Sequence, residues 1–290
     1  MRAFFTKRAL VAIIIIAALT LGLVLFFVLR GEDAPAPQIP VEPTFKQEVI
    51  GLSVEGRKIE AYTYGTGETR LLFVGGIHGG YEWNSVVLAY EFMDYLSKAS
   101  GTISKDLAVT VIPSANPDGV FKVIGKEGRF TVADVPSGVA QEPGRFNSHK
   151  VDLNRNFDCK WQPEGTWKGK KVSAGTNAFS EPEAVAIRDF VLENKPTAMV
   201  FWHSQANAVY ASECEDGILP ETRAITKAYS RASGYPAMDS FDAYEVTGDA
   251  EGWLASIGIP AITVELKTHE AIEWEKNLAG IKALFAHYGN

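Results

Sequence analysis

Two histidines and a glutamate stand where short apolar runs end: His78 after LLFVGG, His203 at the close of TAMVFW, and Glu265 within IPAITVEL. Two imidazoles and a carboxylate converging on one rim match the donor set of a catalytic zinc, which keeps a fourth position for water. The chain has five histidines, so two at strand ends is an enrichment. On these residues alone, a pair of capping or internally satisfied histidines explains the pattern equally well. The helical His-Glu-x-x-His motif is absent, so a metal hydrolase here needs another architecture.

Two further segments add polar groups. Asn116-Pro117-Asp118-Gly119 follows the run LAVTVIPSA, and Val151-Asp152-Leu153-Asn154-Arg155-Asn156-Phe157 ends a long aperiodic segment. An Asn-Arg pair offers a planar guanidinium fork and an amide donor, the groups a bidentate grip on a carboxylate requires. By itself NPDG is only a turn signal, and one Asn-Arg pair carries little weight.

The elements that must position these groups alternate. EVIGLSV and KIEAYTY, split by EGRK, predict a hairpin over about 48–64, and RLLFVGG, LAVTVIPSA, TAMVFWH and IPAITVEL read as buried strands. Between them the pattern predicts helices over about 84–96, from a Ser180/Glu183 capping box to about Asn194, over 221–233, and from His269 to Tyr288. Residues 120–150 lack a period and read as a long loop of functional or mobile character. Strands alternating with helices predict a single α/β domain over 45–290, with a mixed, mostly parallel twisted sheet flanked by helices; ligands collect at the carboxyl ends of such strands.

Taken in order, GGIHGGYEW, NPDG, RFNSHKVDLNRNF, SEPE, FWHSQ, YEVTG and TVEL resemble the zinc carboxypeptidase family, which includes metallocarboxypeptidases and bacterial relatives that cleave murein peptides. These segments span about residues 50–270, nearly the whole domain. The resemblance implies one zinc per chain with His78, Glu82 and His203 as ligands. It implies Asp152 as the hydrogen-bond acceptor of a ligand imidazole, Asn154 and Arg155 as holders of the substrate's terminal carboxylate, and Glu265 as general base and then acid. Tyr244 resembles the tyrosine that closes over substrate, and Arg145 the arginine beside the oxyanion, with Arg129 as its competitor. Asp249 and Glu251 occupy the segment that reads the released side chain, where they would favour a cationic group such as Lys, Arg or the distal amine of diaminopimelate; the alternative is two solvated loop acids.

One departure concerns the metal: Tyr81 occupies the usual acid position of His-x-x-Glu and Glu82 follows one residue later, which reads as a one-residue insertion. The implied activity is zinc-dependent hydrolysis of the amide before a C-terminal residue of a peptide or murein peptide. The alternative is a zinc amidase or deacylase of small acylated amino acids, against which NPDG, Tyr244 and VDLNRNF speak. A catalytically silent binding domain would be expected to have lost Glu265 or a ligand.

Ala9 to Leu29 carries no charge, and as a helix it would extend about 32 Å, enough to cross a bilayer core. Arg2, Lys7 and Arg8 precede it, so residues 1–30 read as a cytoplasmic stub and membrane signal-anchor with the catalytic domain outside the cytoplasm, cleaved secretion being the alternative. Residues 31–44 hold four prolines and read as a semi-rigid spacer. Beyond the anchor 25 basic residues face 35 acidic ones, which argues against a nucleic-acid partner. Cys159 and Cys214 would lie where a disulfide persists; a bridge or two buried thiols both remain open. His149 and His269 read as solvent-facing, and His287 as a residue of the final helical turn, where partial positive charge suits the dipole.

Overall fold

Side-chain alternation along a few apolar strands sorts the core into two halves. The strands are β1 (Phe45–Leu52), β2 (Lys58–Tyr64), β3 (Thr69–Val74), β4 (Leu107–Ile112), β5 (Glu164–Trp167), β6 (Lys170–Ser173), β7 (Ala198–Ser204), β8 (Ala208–Ala211), β9 (Ala237–Met238) and β10 (Ala261–Leu266). All but β5 and β6 join one sheet in the order β1-β2-β4-β3-β7-β10-β8-β9. Its centre, β4-β3-β7-β10, is parallel, while β1, β2 and β8 run antiparallel to the neighbours nearer that centre. In β3 Leu71 and Phe73 face one side and Leu72 and Val74 the other; β7 divides Val200 and Trp202 from Met199 and Phe201 in the same way. Because both faces are covered, such strands read as unbroken apolar runs.

The computed structural model describes residues 19–22, 45–98, 103–241 and 244–289. The expected anchor at 9–29 therefore lies outside the described residues except for a helical turn at 19–22, and the spacer at 31–44 lies outside them entirely. Among the described residues no helix is long and apolar enough to cross a membrane.

Helices α1 (Trp83–Lys98), α2 (Pro117–Ile124), α3 (Pro182–Asn194), α4 (Pro220–Ser233), α5 (Ala250–Ser256) and α6 (Trp274–Tyr288) cover the sheet. The α3 and α5 helices pack on the Leu72/Phe201 face; α1, α2, α4 and α6 pack on the Phe73/Trp202 face. Trp202, fully buried, stacks on Phe73 at 5.4 Å and meets Phe92 of α1 edge-on at 5.8 Å. Each large side chain buried this way contributes about 1.5–3 kcal/mol.

Several sequence expectations need correcting. The α3 helix starts at Pro182 with Glu181 at the cap and no side-chain cap bond, so Ser180 and Glu183 form no capping box. Ser180 Oγ instead donates to Glu181 Oε1 (2.8 Å), and Glu183 accepts from Val54 N (3.1 Å) on a distant segment. The expected loop at 120–150 begins as helix: Asn116 caps α2 by accepting from Gly119 N at 2.8 Å, Pro117 opens it, and Gly125 ends it at φ +77. The closing helix begins at Trp274, because Asn84 Nδ2 binds the carbonyls of Thr268 (2.7 Å) and Ala271 (3.0 Å) and holds that stretch non-helical. Cys159 and Cys214 are joined, with Cα atoms 6.0 Å apart, and the thiol alternative falls away.

Candidate metal centre and cleft

After β3 the chain turns through Gly79, whose φ is +49 and where a Cβ would lie 2.5 Å from Gly144 O and 2.8 Å from Gly119 Cα. Only glycine permits that approach. The following 3-10 turn, Gly79–Glu82, swings Glu82 back beside His78. Glu82 Oε1 lies 2.8 Å from His78 Nδ1 and Oε2 3.2 Å from His203 Nδ1, while the two Nδ1 atoms are 3.2 Å apart. All three side chains are buried, with these donor atoms within 4.8 Å of one another. Two nitrogens each about 2.0–2.1 Å from a tetrahedral zinc would be separated by about 3.3 Å, so the donor set fits that ion. The extra residue, Tyr81, is taken up in the 3-10 turn.

The outer ring nitrogens also have acid partners. His78 Nε2 is 3.3 Å from Asp152 Oδ1, and His203 Nε2 is 3.1 Å from Glu251 Oε1. Donation from His203 Nε2 to Glu251 leaves its Nδ1 lone pair facing inward, as a ligand requires, and the Asp152 carboxylate beside His78 Nε2 favours the same tautomer there. Arg145 Nε donates to Asp152 Oδ2 (2.9 Å), Nη2 lies 2.8 Å from the same oxygen as an ion pair, and Nη1 lies 3.7 Å from Glu82 Oε1. Burial opposes ionisation of Asp152, but Arg145 and His78 overcome it and hold the carboxyl far below its usual range. Burial likewise works against the Glu82 carboxylate, and the two imidazoles prevail. His203 is disfavoured as a cation by burial, yet Glu82 and Glu251 raise its pKa well above the ordinary value.

Parallel register places Glu265 of β10 directly beside His203 of β7. Its Oε2 accepts from Ala206 N at 3.1 Å. Burial in the cleft wall and the nearby Glu82 charge push Glu265 up to about 7. Arg155 is 3% exposed and spends Nη1 on Asn154 O (2.6 Å) and Nη2 on Thr166 O (3.0 Å). Its Nε finds no acceptor, and among the described residues no carboxylate pairs with it. Space for it comes from Gly165, where a Cβ would fall 2.7 Å from Arg155 Cδ. Asn154 Oδ1 accepts from Ala250 N at 2.9 Å, which leaves its amide NH2 as donor. The ring of Tyr244 lies 5.9 Å from the Arg155 guanidinium.

All these groups except the deeply set Asp152 line one cavity of about 440 Å³, along with Asp249 and Glu251. Asp249 caps α5 by accepting from Gly252 N at 2.7 Å, and burial together with Glu251 pushes it up to about 6. Glu251, 2% exposed, is held by Thr263 Oγ1 (2.9 Å) as well as His203, a partnership the sequence did not reveal. Arg129 lies elsewhere, paired with Asp94 on α1.

His269 is a correction: far from facing solvent, it lines the cavity with Nδ1 2.7 Å from Ser204 Oγ and its ring 4.4 Å from Tyr81. Burial lowers its pKa. Its place four residues beyond Glu265 was the signal available. The β5–β6 hairpin, also unforeseen, brings Trp167 and Lys168 to the same cavity. His149 is largely exposed but reaches Glu181 Oε2 at 2.7 Å.

Comparison with known proteins agrees with this geometry. A family model described as zinc carboxypeptidase matches residues 42–274. The γ-D-glutamyl-L-diamino acid endopeptidase 1 of Lysinibacillus sphaericus is 25% identical over 245 residues, covering 77% of this chain and 61% of that protein. The chain thus spans less than two thirds of that relative's length. Bovine thrombin-activatable fibrinolysis inhibitor, solved in complex with tick carboxypeptidase inhibitor, superposes with a TM-score of 0.69 at 20% identity over 84% of this chain and 90% of that one. Murein-tripeptide amidase MpaA from Escherichia coli O157 superposes with a TM-score of 0.57 at 21% identity over 82% and 91%. At these identities the two structures establish a shared fold.

Proposed function

The chain belongs to the zinc carboxypeptidase family, and from that premise we propose that it hydrolyses the amide bond preceding a terminal residue with a free carboxylate, in murein peptides or peptides like them. One observation carries the reading: a buried guanidinium without an acid partner, Arg155, shares a cavity with a carboxylate of raised pKa, Glu265, and with the donor group His78, Glu82 and His203.

Zinc bound by those three side chains would supply a Lewis acid that polarises the scissile carbonyl and makes water a nucleophile near neutral pH. Arg155 and the Asn154 amide bind the terminal carboxylate and set the preceding amide against Glu265. Glu265 takes a proton from the attacking water and returns it to the departing amine nitrogen as the C–N bond breaks, a double role suited to a group held near 7. Charge developing on the carbonyl oxygen meets Arg145, whose Nη1 is the nitrogen not bound to Asp152. Each well-aimed donor of this kind contributes about 3 kcal/mol. Tyr244 closes the cleft over the clamp. Asp249 gives the floor negative charge and favours a cationic released residue, such as a diamino acid, while Glu251 accepts from His203 Nε2 and orients that imidazole. The run Ala9–Leu29 anchors the chain with the catalytic domain outside the cytoplasm, where cell-wall peptides lie.

The test is turnover by zinc-loaded protein of hippuryl-Arg, hippuryl-Phe, an acylated amino acid and γ-D-glutamyl-diaminopimelate peptides, beside Glu265→Gln. We expect cleavage of the hippuryl or γ-D-glutamyl substrates in preference to the acylated amino acid, and loss of at least 10²-fold in Glu265→Gln at unchanged zinc content. Preferential cleavage of the acylated amino acid would instead favour a deacylase, and cleavage of nothing would overturn the reading.

A further inference from the structure

Lys168 is not used by the reaction as described, yet its ammonium sits in the catalytic cavity. It opens the two-residue turn of the β5–β6 hairpin with φ +48, followed by Gly169 at φ +72. Such turns favour Asn, Asp and Gly, so a lysine there runs against local preference. The ammonium donates to Tyr81 Oη at 2.7 Å and lies 5.4 Å from the centroids of both Tyr81 and Trp167. Among the described residues no carboxylate pairs with it. Tyr81 is the residue inserted between two metal-donor side chains; it is buried, and its ring also meets Trp167 edge-on at 5.3 Å.

The hairpin orders these groups along the cleft. Thr166 O meets Arg155, the Trp167 ring lies 4.7 Å from the Arg145 guanidinium, and Lys168 meets Tyr81. Passing along the strand thus leads from the terminal-carboxylate clamp, past the arginine beside the scissile carbonyl, to Lys168. A group bound there belongs to the residue on the other side of the scissile bond. Because Tyr81 Oη accepts from the ammonium, its own proton remains to be donated, and the pair presents two donors to one anion.

Resting on the reading above, we propose that Lys168 and Tyr81 form a subsite for a carboxylate on the residue that acylates the scissile nitrogen. An α-linked peptide has no backbone charge at that residue. The acid is therefore either a side-chain carboxylate or the free α-carboxylate of a γ-linked glutamyl residue.

The experiment measures calorimetric binding to zinc-loaded Glu265→Gln, which keeps substrate intact. The ligands are γ-D-glutamyl-diaminopimelate, its α-linked isomer, and the γ-linked compound with its α-carboxylate converted to carboxamide. Conversion to carboxamide should weaken binding on the order of tenfold, the effect of one charge-assisted bond. Adding Lys168→Met should reduce that difference to under twofold, and Tyr81→Phe should shrink it with zinc content unchanged. Tighter binding of the γ- or the α-linked acid identifies which source the site takes. Equal binding of acid and carboxamide, or the same difference with and without Lys168, would overturn the subsite. Turnover of the same peptides by the unmodified enzyme separates the two readings: carboxylate-dependent binding without turnover sinks the hydrolase and leaves the subsite, and turnover without carboxylate dependence does the reverse.

Discussion

Glu251 admits two roles, and its substitution separates them. As a cleft acid it would attract a cationic released side chain; as the acceptor of His203 Nε2–H at 3.1 Å it would orient a metal donor and strengthen its Nδ1. Its contacts favour the second, since Oε1 already receives both His203 and Thr263 Oγ1. Glu251→Gln keeps the shape and an accepting oxygen but turns a charge-assisted bond into a neutral one. The difference is about 1 kcal/mol, or roughly five- to tenfold in zinc affinity. Glu251→Ala removes the acceptor and leaves the His203 N–H and the Thr263 hydroxyl unpaired in a buried place, costing about 3 kcal/mol and about 100-fold. The carboxylate also raises the proton affinity of His203, so its removal weakens a competing proton as well. A divalent ion feels the same charge twice as strongly as a proton does, so affinity should fall at pH 7 and fall further at pH 9. Zinc competition against a chromogenic chelator, run on both variants at both pH values, reads this series. Unchanged zinc affinity, with KM raised only for substrates releasing Lys, Arg or diaminopimelate, would refute the positioning role and leave Glu251 as a specificity acid.

Arg155→Ala should raise KM about 100-fold for substrates ending in a free carboxylate at unchanged zinc content; an unchanged KM would remove the clamp. Replacing Cys159 and Cys214 together by Ala opens a loop with a sequence separation of 55 residues, costs about 4 kcal/mol in the chain-entropy account, and should lower Tm by roughly 8–16 °C in calorimetry. An unshifted Tm would show that the bridge does not constrain the unfolded chain. Asp249, raised from its ordinary 3.8 to about 6, keeps a proton in the folded state that the unfolded chain releases. Its contribution to stability is therefore complete below pH 3.8 and is lost as pH rises through 6. Asp249→Asn retains the cap to Gly252 N and should gain on the order of 2 kcal/mol over the parent at pH 7.5 and nothing at pH 4; a pH-independent difference in denaturant unfolding would contradict this.

What was legible in the sequence follows from how far each feature depends on distant residues. Strands β3, β4 and β7 are largely apolar on both faces and β10 on one, so composition alone marks them, and β8, four residues long, leaves no such trace. Their parallel order was inferable from alternation with helices, and the rule that ligands gather at carboxyl ends then places His203 and Glu265 together. The pairing of those two in register needed the structure. Glu82 was readable only by admitting an insertion, and the inserted Tyr81 then looked like a spacer. Its purpose lies in contacts with Trp167, Lys168 and His269, all more than eighty residues away. Glu251 shows the same limit from the other direction. Its distance from Tyr244 suggested a selectivity role, while its hydrogen bonds to His203 and Thr263 depend on how α5 is laid against β7 and β10. Local pattern marks the groups that strand ends present. Which of them are already paired, and which still have a donor to offer, is decided by tertiary contacts: Glu251 is taken up by His203 and Thr263, whereas Lys168 has Tyr81 and, among the described residues, no carboxylate partner.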